Sequence, residues 1–261
     1  MLITSAANPL VKRIRALRAP KERRRQGAFF VEGVQPVWRA YDGGADIEAL
    51  VVAPDLVFGS PSAALVESVR RGVGTVAELS VDVFGAISDR DGPSGVAAIV
   101  RMPSTTTASL AVQPTSVVVG LHDIANPGNL GTIIRTADCF GAAGVVLIGE
   151  TADPYAPAAV RASMGSLFSL PVVHVDSVDE AFEWSRTAGL TVVTTSARAS
   201  TPLGSALLPR PSLVVFGSEG AGLPPTILDR GDLDVRIPMR GTASSLNLAV
   251  AAGIVLYVAT A

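Results

Sequence analysis

Cysteine and histidine are nearly missing from this 261-residue chain: Cys139 is the single cysteine, and His122 and His174 are the only histidines. That excludes a disulfide framework and any metal site assembled from clustered Cys and His, so no metal is expected. Aromatic residues are also sparse, 5% against 48% hydrophobic in all. A core must therefore be built from Ala, Val, Leu and Ile, as in parallel sheets covered by helices. Long apolar runs are lacking too. The closing "LNLAVAAGIVLYVATA" (246–261) contains Asn247 and falls short of the roughly 18 to 20 residues a membrane span needs. A buried last helix is the expectation. The opening "MLITSAANPLVKRIRALRAPKERRRQ" has no apolar stretch after its basic residues and does not read as a signal peptide. With no disulfides to form, a reducing cytoplasm is the natural setting.

Charge is present but unevenly placed. The net charge is -2, yet residues 1–25 hold eight Lys or Arg against the single acid Glu22. Clustered cations attract phosphates and release counterions on contact, so this segment, with Arg13, Arg15, Arg23 and Arg24, is a candidate RNA-binding surface. A solvated helix face is the alternative.

From residue 26 the pattern gives a small α/β unit, with strands at "AFFVEG", "IEALVVAP", "TVAEL" and "GVAAIVR" and helices over "VQPVWRAYDGG" and near "SAALVESVRRG". The uncharged Ser, Thr and Pro-rich stretch after Arg101 reads as a linker over 102–113, separating a domain of residues 1–101 from one of 114–261. In the second domain, "SVVVGLHDI", "GVVLIG", "PVVHV", "LTVVTTSA", "SLVVFGS" and "DVRIPM" alternate with helical patterns, which predicts a parallel sheet covered on both faces. Ligands of such sheets bind outside the carboxyl ends of the strands.

Three loops that follow strands carry chemically suggestive residues. In "NPGNLGTIIRTADCFGA" (126–142), Asn126 and Pro127 form a helix start, and Gly128 and Gly131 leave backbone accessible to a ligand. Arg135 then projects two turns along, on a stripe with Gly128, Thr132 and Cys139; it is either a functional cation or a surface arginine paired with Asp138 or Asp123. In "VVFGSEGAGLPP" (214–225), Gly217, Gly220 and Gly222 surround Glu219 at a strand end. Their order is GxxGxG, not the GxGxxG dinucleotide fingerprint, which argues against a nicotinamide oxidoreductase. In "IPMRGTASSLNLAVAAG" (237–253), a polar turn leads into the apolar helix, with Ser244 or Ser245 as the expected N-cap. Cys139 is expected to be a small buried hydrophobe, and the two histidines to be structural residues at strand ends.

Together and in this order, the three loops resemble the motifs of the SpoU or TrmH class of the SPOUT superfamily, S-adenosylmethionine (AdoMet)-dependent RNA ribose 2'-O-methyltransferases. Asn126, Gly128, Arg135, Thr136 and Ala137 match the first motif. Gly217, Glu219, Gly220 and Gly222 match the second, and Ile237, Pro238, Met239, Gly241, Ser245, Leu246 and Asn247 the third. "FFVEGVQPVWRA" resembles the start of the ribosomal-protein-like α/β RNA-binding domain that precedes many of these enzymes, a layout shared with thiostrepton-resistance methyltransferases. The resemblance implies an α/β fold with a C-terminal trefoil knot, a homodimer, and 23S ribosomal RNA as substrate. It leaves a transfer-RNA methyltransferase of the same class, or a non-catalytic RNA-binding protein, as alternatives.

The resemblance also implies a donor site made of loops 194–197, 216–220 and 237–246, using Thr195, Ser196, Phe216, Gly217, Gly220, Ile237, Met239, Ser245 and Leu246. Asn126, Arg135, Glu219, Ser245 and Asn247 are then the catalytic candidates, with Arg135 also on the RNA. Methyl transfer to a hydroxyl requires alignment and a more nucleophilic oxygen, but no metal and no covalent enzyme intermediate. The family often assigns the Arg as general base. A guanidinium keeps its proton in ordinary surroundings, so a clamp on phosphate and developing alkoxide fits Arg135 with less strain.

Overall fold

Runs of Val, Ile and Leu punctuated by Gly and Pro form the strands, and the amphipathic stretches between them the helices, in the computed structural model, which describes residues 1–204 and 208–261. Contacts divide the chain into two units, Met1–Pro103 with Tyr155–Ser169, and Ser104–Pro154 with Leu170–Ala261.

In the first unit, β1 (Leu2–Ile3) precedes two short basic helices, α1 (Pro9–Ala16) and α2 (Pro20–Gln26). Asn8 caps α1 by accepting from the Leu10 N–H, with Pro9 at the first helical position. Then come β2 (Ala28–Glu32), α3 (Val34–Asp42), β3 (Ile47–Val52), α4 (Pro54–Val57), α5 (Ala63–Gly72), β4 (Val76–Leu79), α6 (Val81–Gly85) and β5 (Val96–Arg101). The sheet order is β1-β4-β3-β5-β2, with β5 antiparallel to both its neighbours. Val11, Ile14 and Leu17 bury the inner face of the basic segment against Phe30, Phe84 and Ile99. The cations are thus the outer face of an amphipathic element whose apolar side is core.

The second unit holds β6 (Val117–His122), α7 (Pro127–Cys139) and β7 (Gly144–Ile148). The chain next passes through α8 (Pro157–Ser163), which clusters with the first unit, although the sequence groups it with residues 114–261. It returns as β8 (Val172–Val175), α9 (Val178–Thr187), β9 (Thr191–Thr195), β10 (Thr201–Pro202), β11 (Ser212–Phe216), α10 (Pro225–Leu228), β12 (Leu233–Arg236) and α11 (Leu248–Thr260). All seven strands are parallel, in the order β10-β12-β9-β11-β6-β7-β8. Alternate residues Val118, Val146, Ile148, Val173, Val192, Leu213 and Val215 pack under Ala181 and Phe182 of α9. The opposite register, Val119, Leu121, Val145, Leu147 and Val214, is equally buried. The sheet is therefore covered on both faces, as its continuous apolar strands require.

The stretch read as a linker is held to the second unit from residue 104 on. Thr107–Ser109 form one 3-10 turn, Leu110 enters the core, and the Thr105 hydroxyl donates to the Val172 carbonyl at 2.6 Å. The last helix is buried along Ala249, Ala252, Val255, Leu256 and Ala259 only. Val250, Ile254 and Tyr257 form an exposed stripe, correcting the expectation of full burial. Among the described residues no helix is long and apolar enough to cross a membrane.

Candidate active site

Parallel pairing sets β12, β9 and β11 side by side, so the loops at their carboxyl ends face one another. Between these loops lies a cavity of about 590 Å³. Thr195, Ser196, Phe216, Gly217, Gly220, Ile237, Met239, Ser245 and Leu246 line it, together with Leu223, Leu228, Leu248, Ala251 and Val255. The latter five were not apparent in the sequence, because Leu228, Leu248, Ala251 and Val255 lie inside helices, where apolar residues read as core, and Leu223 is an apolar loop residue with no pattern to mark it. The volume falls within the range of small-molecule sites, and apolar walls with a few polar groups are the usual composition. At Gly217 a β-carbon would overlap the backbone of Gly222 and Leu223, so the loop folds back on itself only because this residue is glycine. A bridge between Ser218 and Gly222 closes that turn. On the other side, Arg236 donates to the carbonyls of Ala199 at 2.6 Å and Ser200 at 2.9 Å, which braces the loop after β9.

The three motif loops are joined by side chains. Glu219 accepts at Oε1 from the Asn126 N–H at 3.3 Å and the Asn129 side-chain amide at 3.0 Å, and at Oε2 from the Ala125 N–H at 3.4 Å. Asn129 in turn accepts from the Asn247 amide at 3.1 Å. Partial burial opposes ionisation of Glu219. The hydrogen bonds from Asn129, its own backbone, Ala125 and Asn126 outweigh that and hold its carboxyl below the ordinary value. A carboxylate so stabilised is a poor proton acceptor and a good tether. Sequence reasoning missed Asn129, whose position in the first turn of α7 is otherwise that of any solvent-facing polar residue.

Asn126 and Asn247 are helix caps. Asn126 accepts from the N–H groups of Gly128 at 2.8 Å and Asn129 at 3.1 Å, and starts α7 as expected. Asn247, not Ser244 or Ser245, caps α11 by accepting from Ala249 at 2.9 Å and Val250 at 3.4 Å. The serines stay exposed in the preceding turn, and Ser245 lines the cavity.

Arg135 is exposed on α7 and has no ion-pair partner among the described residues, Asp138 and Asp123 included. It does not line the cavity, and neither do Asn126 or Asn247. Cys139 is exposed on the same stripe, one turn beyond Arg135, which corrects its assignment to the core. His122 ends β6, and His174 lies within β8, where its Nε2 meets the Gly149 carbonyl at 2.9 Å.

The four arginines read as RNA contacts divide into two kinds. Arg15 and Arg24 are exposed and unpaired among the described residues. Arg13 is held by Glu48 at 2.6 Å and Gln26 at 2.9 Å. Arg23 is 1% exposed, and its guanidinium donates to the carbonyls of Leu17 at 2.9 Å and Arg18 at 2.7 Å. Arg13 ties α1 to α2 and to β3, and Arg23 ties α2 to the turn before it, so both guanidiniums already have partners within the unit.

Residues 116–257 match the model of the SpoU rRNA Methylase family, and residues 8–98 that of the MRM3-like substrate binding domain. The 23S rRNA (uridine(2479)-2'-O)-methyltransferase of Streptomyces viridochromogenes is 35% identical over 242 residues, 90% of this chain and 83% of that protein. The 23S rRNA (guanosine(2553)-2'-O)-methyltransferase RlmP of Bacillus subtilis is 32% identical over 258 residues, covering 98% and 97%. Among solved structures, the AdoMet-bound rRNA methyltransferase from Sinorhizobium meliloti superposes with a TM-score of 0.89 at 37% identity, over 99% of this chain and 97% of that one.

Proposed function

We propose, given that this chain belongs to the SpoU rRNA methylase family and so transfers a methyl group from AdoMet to a ribose 2'-hydroxyl of RNA, a division of that work among its residues. Two relatives that align along most of the chain are named as 23S rRNA 2'-O-methyltransferases, which supports 23S RNA as the substrate here over transfer RNA.

AdoMet, when bound, supplies an electrophilic methyl carbon on a sulfonium. Thr195, Ser196, Phe216, Gly217, Gly220, Ile237, Met239, Ser245 and Leu246 hold it, with Phe216, Ile237 and Leu246 as apolar walls and the tight Gly217 turn offering backbone groups to a polar edge. Glu219, Asn129 and Asn247 tie the donor loops to the start of α7 and so fix where an acceptor ribose meets the cavity. Asn126 holds the first turn of that helix in place. Arg135, a permanent cation with its guanidinium free, grips a phosphate of the acceptor and stabilises charge developing on the ribose oxygen, while the proton leaves to water.

The Glu219–Asn129–Asn247 chain carries this reading, because it makes one site of three loops distant in sequence and commits to tethering the one carboxylate that lines the cavity among the described residues. Replacing Arg135 with Ala tests it. Calorimetric affinity for AdoMet should stay within about threefold, while tritium-methyl incorporation falls about 100-fold or more; near-normal turnover would contradict the assignment.

Residues 1–101 are proposed to present the RNA, a reading supported by the substrate-binding match, with Arg15 and Arg24 on phosphates. Residues 114–261 would form the catalytic domain, its last segment threaded as a trefoil knot, as the family resemblance implies. The exposed stripe of Val250, Ile254 and Tyr257 supports a homodimer formed through α11, and a ribosomal RNA substrate supports a cytoplasmic location.

A further inference from the structure

The first unit carries an unexplained surface away from its two basic helices. Residues Tyr155–Ser169 lie inside the span that matches the catalytic family, yet cluster with the substrate-binding unit. Aromatic packing anchors them there: the Tyr155 ring sits 4.7 Å from that of Phe29, and Phe168 stacks on the same ring at 6.0 Å. Between these anchors α8 ends in two consecutive left-handed residues, Met164 at φ 52° and Gly165 at φ 97°. Gly165 is explained by space, since a β-carbon would come within 2.7 Å of Cβ and Cγ of Arg39.

Met164 is the left-handed C-cap of α8, its N–H donating to the Arg161 carbonyl at 3.3 Å, a position held more often by Gly or Asn than by a long apolar side chain. It is one of only two non-glycine residues with positive φ among the described residues, and its long apolar side chain is 40% exposed. Strained backbone of this kind persists where the surrounding structure enforces it, and it concentrates at binding sites. On either side are Arg39, in the last turn of α3 and in contact with the Gly165 position, and Arg161, in the last turn of α8. Both are exposed, and neither guanidinium has an ion-pair or hydrogen-bond partner among the described residues. Elsewhere in the unit, Arg13, Arg18, Arg25, Arg70 and Arg101 are each matched with a carboxylate, while Arg15, Arg24, Arg71 and Arg90 are, like Arg39 and Arg161, without one among the described residues. The turn therefore joins an exposed methionine to the helix end that carries Arg161, where Gly165 packs on the Arg39 side chain, and the chain leaves both guanidiniums unneutralised among the described residues.

We propose that Arg39, Arg161 and Met164 form an RNA-contact surface of the first unit. The guanidiniums bind backbone phosphates, for which their planar fork is suited, and the polarizable thioether rests against a base or ribose. Charge complementarity names RNA as the occupant, and the inference rests on RNA methylation being the reaction of this chain.

The test pairs an Arg39→Gln/Arg161→Gln double variant with Met164→Gly, using a 23S ribosomal RNA transcript as probe. Gln keeps the β- and γ-carbons that pack on Gly165, and Gly accepts the left-handed conformation. The double variant should lower the slope of log affinity against log salt by between about 1 and 2 and raise KM for RNA about tenfold, with kcat and AdoMet affinity within about twofold. Met164→Gly should melt no lower than the parent, yet raise KM about threefold or more, a split that a purely structural turn would not produce. Unchanged KM and salt slope in variants of an enzyme that methylates normally would overturn the surface. A parent protein that methylates no RNA would overturn the functional reading instead.

Discussion

Glu219→Gln separates tethering from base catalysis. In the parent, the carboxylate accepts from Asn129, Asn126 and Ala125 and lies against the N-terminal end of α7. The glutamine amide has one acceptor oxygen. Its NH2 must face at least one of those N–H donors, which costs about 1.5 kcal/mol for a lost charge-assisted hydrogen bond. Loss of the negative charge at the helix start adds about 0.5 kcal/mol. Solvent access to the site reduces the total to about 1 kcal/mol, or a melting temperature lower by roughly 2 to 4 °C. The pH dependence follows from the direction of the shift. Because the folded carboxyl titrates below the ordinary value of a glutamate, its stabilisation is fully present above that ordinary value and is lost as pH falls through the folded one. Thermal melts of the two proteins should thus differ at pH 7 and converge as the medium is acidified through the lowered folded value of the carboxyl. Methylation kinetics should show kcat/KM reduced only about tenfold, as for a displaced group. A loss of about 1000-fold or more in kcat with an unchanged melting temperature would refute the tether and make Glu219 the base.

Asn129→Ala cuts the link between Glu219 and Asn247 and should reduce kcat about 100-fold while AdoMet affinity, by calorimetry, changes less than about fivefold. Gly217→Ala forces a β-carbon into the backbone of Gly222 and Leu223 and should weaken AdoMet binding more than about tenfold in the same assay. Arg23→Ala leaves the Leu17 and Arg18 carbonyls without their buried donor; a loss of about 3 kcal/mol is expected in denaturant melts, with no change in the RNA salt slope of the folded fraction. Ile254→Asp on the exposed stripe of α11 should shift sedimentation from dimer to monomer with the circular dichroism spectrum retained.

Most strands of the second unit were legible because a strand buried on both faces needs an unbroken apolar run; β12, which carries Asp234 and Arg236 and is buried only at Val235, lacks that signal, yet each of the six quoted runs forms a strand. The start of α7 was equally legible, since Asn followed by Pro leaves one geometry for a helix entry. The cap of α11 was not: the turn before it offers several side chains able to cap, and the backbone path selects Asn247. Charge counting located the basic segment but could not separate Arg15 from Arg23, because burial depends on carbonyls that only the folded chain brings near. Asn129 was invisible for a related reason. Its partners Glu219 and Asn247 lie 90 and 118 residues away, and no local pattern marks a side chain whose work is to join distant loops.

The most direct test of the whole account is methylation of 23S ribosomal RNA by the purified protein with tritiated AdoMet, followed by alkaline hydrolysis and mapping of the label. Label is expected in an alkali-resistant dinucleotide, the signature of a 2'-O-methyl ribose, at a defined position and absent with Arg135→Ala. Label on a base, or none on any RNA offered, would contradict it.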